Sequence, residues 1–208
     1  MRKRHGPGFA AVAVAALAAM LGMTAVGGAS TWTVRPGGPV SMKSGRFTLT
    51  DTTTGSALSC QSSALSGTLK GGSALPGSGI GSITTVGFTR CSTPIGGFTL
   101  QAHDLPWHLS FSSYNAATGV AAGSLSHVKI KLLMPDCDAV IDGSSGSASD
   151  GIVNVRYTNS TGVLQARTTG GNLHFYNVRG CAGLIRTGDS ATISARFTVS
   201  PKQVITSP

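Results

Sequence analysis

The chain has 208 residues, with 16 Lys or Arg against seven acids and a formal charge of +9. Every acid is Asp and Glu is absent, while Thr, Ser, Val and Gly dominate, which argues against a helix-rich fold and for strands and turns. The cations are scattered singly, Lys129 and Lys131 being the densest pair, and aromatics are only 6% of the chain; the basic balance therefore reads as a solvated face, without the basic run and stacking platform of a nucleic-acid binder.

In chain order, Arg2, Lys3 and Arg4 form a basic start, and residues 9–23 are apolar or small throughout. That pattern predicts a signal peptide over 1–29, cut after Ala29, since an apolar stretch of about 15 residues is short of the roughly 20 a spanning helix needs. No transmembrane segment is expected after cleavage, and the remaining 179 residues keep all seven acids and 13 of the 16 cations, a charge of about +6. Residues 30–42 are expected as a flexible lead, 43–201 as one β domain and 202–208 as a flexible tail.

Within that domain, strands are expected at 46–50, 82–89, 98–102 and 107–114. The pattern then gives 128–134, with Val128, Ile130, Leu132 and Met134 inward and Lys129 and Lys131 outward until Pro135 ends the run. Further strands are expected at 152–158, 163–167, 173–178 and 192–199. In the last of these, Ile193, Ala195, Phe197 and Val199 share one face against Thr192, Ser194, Arg196 and Thr198. Turn signals such as Gly71-Gly72, Pro76-Gly77, Gly96-Gly97 and Asp142-Gly143 fall between them. The Ser/Gly stretch 143–151 reads as a long surface loop. No helical period intervenes, so the expected fold is all-β: a single antiparallel sandwich or barrel of about nine to eleven strands. A membrane barrel would need an outward apolar band, whereas the outward faces at Lys129 and Lys131 and over 192–198 are polar.

Cys60, Cys91, Cys137 and Cys181 all follow the leader, which implies an oxidising compartment and a secreted, extracellular protein. Three pairings are possible. The expected one is Cys60–Cys91 with Cys137–Cys181, because each closing Cys ends a strand that follows Gly81 or Gly171, and neither loop then crosses the other. The recurring Gly ten residues before each closing Cys also hints at an internal duplication. No two cysteines have a metal-ligand spacing such as C-x2-C.

His103, Asp104 and His108 are the candidate site, since two imidazoles and a carboxylate lie within six residues and such a set can serve as a general base or metal ligands. Against this, Pro106 precedes a strand that turns Trp107 inward and His108 outward. Asp136 and Asp138 flank Cys137, with Asp142 and Asp150 near in sequence; paired carboxylates can hydrolyse glycosides or hold calcium, but the spacing matches no calcium loop and solvated acids at strand ends are the expectation. The chain has no Gly-x-Ser-x-Gly elbow and no phosphate-binding loop, and its cysteines are committed to disulfides. No catalytic residue, metal or cofactor is expected.

The layout of Phe88-Thr-Arg-Cys91, Leu105-Pro-Trp-His-Leu109 and Gly180-Cys181 after a leader resembles a group of actinobacterial secreted β-rich proteins of unknown function. That resemblance covers most of the exported chain and implies export and a β fold, with no catalytic residue. The expectation is a secreted or cell-wall-associated, non-enzymatic binding or envelope module whose partner is a cell-envelope polymer. The alternative is a secreted hydrolase using Asp or His residues.

Overall fold

The computed structural model describes residues 31–93, 96–167 and 171–208; the expected leader, 1–29, lies outside them. The described residues form fifteen strands and no helix: β1 (Thr31–Arg35), β2 (Gly38–Ser44), β3 (Phe47–Asp51), β4 (Ala57–Leu69), β5 (Gly72–Pro76), β6 (Gly81–Thr93), β7 (Gly96–His103), β8 (Trp107–Asn115), β9 (Val120–Met134), β10 (Cys137–Asp142), β11 (Gly151–Thr158), β12 (Val163–Arg167), β13 (His174–Arg179), β14 (Ala191–Ser200) and β15 (Val204–Thr206). Every strand expected from alternation is present. Among the described residues no helix is long and apolar enough to cross a membrane.

β2 and β3 both pair with β4 and with β14, so they are one stave interrupted at Gly45 and Arg46. β7 and β8 likewise lie between β6 and β9, interrupted at residues 104–106. Each stave pairs with the next in sequence, and β14 returns to β2, while β11 closes on β9 over Gly151–Thr158. The result is an eight-stranded antiparallel barrel of up-and-down order with added strands.

One end is capped by the small sheet β15-β1-β5. Residues 30–42 and 202–208, expected as loose ends, are paired strands from Thr31 onward and at Val204–Thr206. The physical reason is burial: Trp32, Val34, Gln203 and Ile205 are all 1% exposed or less. Tyr157 Oη donates to the Gln203 carbonyl (2.8 Å) and accepts from its N–H (2.9 Å), Gln203 Oε1 accepts from Gly37 N–H, and the Asn159 amide makes two bonds to the backbone of Ile205. Trp32 stacks on Phe111 at 5.6 Å between ring centroids. It also approaches Gly77 so closely that an added Cβ would sit 2.7 Å from its Nε1.

The other end carries β7, β10 and β13 with both disulfides. Cys60 and Cys91 face each other directly across β4 and β6, and Cys137–Cys181 joins the start of β10 to the chain just after β13. The sequential pairing expected from the sequence is the pairing found. The two linked units are built differently, since one bridge spans neighbouring staves and the other spans strands added outside the barrel.

Candidate functional site

His103 ends β7 and His108 is the second residue of β8, while the loop at residues 104–106 that interrupts the β7–β8 stave carries Asp104. Trp107 leaves it inward, buried as expected, with its Nε1 donating to the His103 carbonyl at 3.1 Å. Asp104 takes a left-handed φ of 53°, a conformation Asp tolerates better than most residues. Its carboxylate accepts from Ser149 Oγ and lies 3.0 Å from Lys129 Nζ. Those two contacts, the Ser149 bond first, hold the Asp104 carboxyl below its ordinary range. His108 turns to the outer face and packs edge-on against His127, with ring centroids 4.9 Å apart. The cluster therefore splits: Asp104 ties two loops together, and His108 belongs to an imidazole pair. Among the described residues no three His, Cys, Asp or Glu side chains are grouped to hold a metal.

The Asp residues around Cys137 part ways as well. Asp136 is exposed in the β9–β10 turn and Asp138 half-buried on β10. Asp142, expected as a solvated strand-end acid, is 0% exposed and accepts from the N–H groups of Gly143, Ser149 and Asp150, with Lys129 Nζ 3.9 Å away. Asp150 receives the N–H and hydroxyl of Ser144, which keep its carboxyl below the ordinary range. These carboxylates fold the 143–150 loop back on itself, because its backbone donors have no strand to pair with. Their work is architectural.

Asp51, at the end of β3, was not singled out by sequence. It is fully buried, its Oδ1 accepts from Thr53 and Thr54 N–H, and its Oδ2 has no partner. Burial, then the neighbouring Asp189 carboxylate, pushes its pKa above the ordinary value. Thr54 Oγ1 donates to the Leu184 carbonyl at 2.7 Å, and Thr52 N–H to that of Ser190 at 2.9 Å, so the 52–56 turn is stitched to the 182–190 loop.

Beside that seam lies a crevice of about 280 Å³, lined by Gly55, Ser56, Ala57, Leu58, Thr93, Met134, Cys137, Leu184 and Ile185. Two more concavities adjoin it through Met134, one running along Pro135, Asp136 and the Cys137–Cys181 bridge, the other along Phe88, Phe98 and Leu133. The lining is chiefly apolar, and the volume is near the lower end of ligand sites, about 300 Å³. The barrel interior offers no comparable room. All eight staves send apolar side chains to its centre, among them Phe47, Leu65, Phe88, Trp107 and Phe197, leaving a void of about 30 Å³.

Sequence spacing gave no sign of the crevice, whose walls come from four separate segments. The one local signal is Leu184-Ile185, an apolar pair inside a turn-rich loop.

A protein-family model described as alkane oxidation protein activator PraA/PraB-like matches residues 7–207. No curated protein and no solved structure matches the chain. The match thus takes the place of the actinobacterial secreted group that the sequence layout resembles.

Proposed function

We propose that this chain, which belongs to the PraA/PraB-like family, is an exported, non-enzymatic accessory protein that holds an apolar chain in the crevice at the disulfide-bonded mouth of its barrel. The crevice carries the reading: Ala57, Leu58, Met134, Leu184 and Ile185 give it an apolar wall, and no charged side chain lines it. Export is supported by the basic and apolar leader pattern and by two disulfides, which persist in oxidising compartments. The family description names alkane oxidation, and a protein that shelters hydrocarbon from water would assist such chemistry without performing it. Asp104 is engaged by Lys129 and Ser149 while His108 packs against His127, an arrangement that favours this reading over the alternative of a secreted hydrolase.

The test is displacement of the fluorophore 1-N-phenylnaphthylamine by 1-alkanols from butanol to decanol. Burial of a methylene is worth about 0.8 kcal/mol, so affinity should rise about fourfold per added carbon until the crevice is full. Leu184→Lys should abolish that dependence while the protein stays folded. A chain-length series that is flat, or one that Leu184→Lys leaves intact, would remove the crevice from consideration.

A further inference from the structure

We propose a second binding site, for a carboxylated polysaccharide, in the groove on the outer wall of the barrel between β9 and β12. This site is independent of the apolar crevice. The groove has a volume of about 300 Å³ and includes Ser112, Asn154, Arg156, Gln165 and Arg167 along its sides, with Ala122 and Gly123 beneath them. Ala122, the outward-facing partner of Arg156, puts nothing larger than a methyl between the long side chains.

Register brings the cations together. Arg156 on β11 pairs with Gln165 on β12, and Gln165 pairs in turn with Arg196 on β14. Arg167 is two residues along β12 from Gln165, on the same outward face, and so lies diagonal to Arg156, about 7 to 8 Å away at the backbone. Thr198, two residues beyond Arg196, pairs with Lys43 and continues the strip onto β2. All four cations are exposed. The only ion pairs among the described residues are those of Lys129, although all seven carboxylate side chains are described. Like charges this close repel, and an anion seated between them removes that repulsion.

Chemistry narrows the anion. Backbone nests that grip compact phosphate need free N–H groups, and here the strand amides are spent in the sheet ladder, leaving only side chains to donate. A guanidinium fork binds a carboxylate with two parallel hydrogen bonds. The Gln165 amide and Ser112 hydroxyl beside it match the neutral hydroxyls of a sugar ring. No aromatic side chain lines the groove, so it lacks the stacking surface by which single-stranded nucleic acids are held. The strip runs across four adjacent staves, a shape suited to an extended polymer.

The experiment is calorimetric titration of the full exported protein with tetragalacturonate, with maltotetraose as the neutral match, and separately with inorganic phosphate and phosphatidylglycerol vesicles. Saturable binding of tetragalacturonate alone is expected, weakening as salt rises. Arg156→Gln and Arg167→Gln should each reduce affinity about tenfold or more, as loss of a charged hydrogen bond does. Lys131→Gln and Arg186→Gln, away from the groove, should leave it unchanged. Equal weakening in those controls would mean non-specific attraction and overturn the site. So would binding of maltotetraose with equal strength, of the vesicles or phosphate in place of tetragalacturonate, or of none of the four.

Discussion

Replacing Tyr157 with Phe takes away one oxygen and leaves two buried backbone groups without partners. The hydroxyl donates to the Gln203 carbonyl and accepts from the Gln203 N–H, and both residues are almost wholly buried. An orphaned buried polar group costs about 1 to 3 kcal/mol, so with two of them Tyr157→Phe should destabilise by about 2 to 6 kcal/mol. For a domain of this size that lowers Tm by about 4 to 24 °C. Differential scanning calorimetry and urea titration give the global figure, and hydrogen exchange at the Ile205 amide tells whether β15 loosens first. Tyr114→Phe is the control: Tyr114 is half-buried with no hydroxyl partner among the described residues, so its loss should change stability by less than about 0.5 kcal/mol. Burial also raises the Tyr157 pKa, the Gln203 carbonyl bond only partly offsetting it. With the folded value above the unfolded one, its contribution is complete below about pH 10 and is lost as pH rises through the folded value, so Tyr157→Phe should flatten the alkaline limb of the stability curve. Equal behaviour of the two variants would refute the claim that this hydroxyl anchors the cap to the barrel.

Removing either disulfide should cost roughly 4 kcal/mol in the chain-entropy model, for loops closed at separations of 31 and 44 residues, and should leave the other bridge oxidised. Chemical denaturation with unreduced peptide mapping checks both, and free Cys137 and Cys181 thiols in Cys60→Ala/Cys91→Ala would contradict the independence of the two units. Asp51→Asn should remove a contribution that favours acid pH: burial raises the folded pKa of Asp51, so its contribution is present below the ordinary value near 3.8 and is lost as pH rises through the folded value. The amide keeps an acceptor for Thr53 and Thr54, so urea midpoints between pH 4 and 7 should fall less in the variant than in the parent, and parallel curves would show that Asp51 is not the group responsible.

What the sequence disclosed follows from how each strand is buried. β14 and the second half of β9 alternate cleanly because one face meets the core and the other water. β4 hides its phase, since Ala, Ser and Gly fill outward and inward positions alike, and small Ser63 is buried where a larger apolar residue would have declared the face. Closure was not legible either, because sandwich and barrel differ only in whether β11 returns to β9, a pairing of segments some 30 residues apart. Position alone marks the ends as loose, although Thr31–Arg35 already alternates around Trp32 and Val34. The same limit governs the sites. His103, Asp104 and His108 are close in sequence, yet the first ends one strand, the second turns through a loop with a left-handed φ and the third lies on the next strand. Arg156, Arg167 and Arg196, scattered in sequence, meet through register alone.

An eight-stranded barrel encloses either its own side chains or one small ligand, and this one has taken the first course. A void of about 30 Å³ walled by apolar groups holds no alkyl chain and gives a water no partner. The two proposed sites accordingly lie at the mouth and on the outer wall. At the mouth, one bridge fixes β4 to β6 and the other fixes the start of β10 to the chain after β13, so that Cys137 itself becomes part of the crevice wall. A wall held before a ligand arrives loses little conformational freedom on binding, which matters most for hydrocarbons, whose contacts are undirected and cannot order a loose site. The outer groove rests instead on the sheet ladder, and no residue lines both sites. Substitutions at Leu184 and at Arg167 should therefore act additively, as separated sites do.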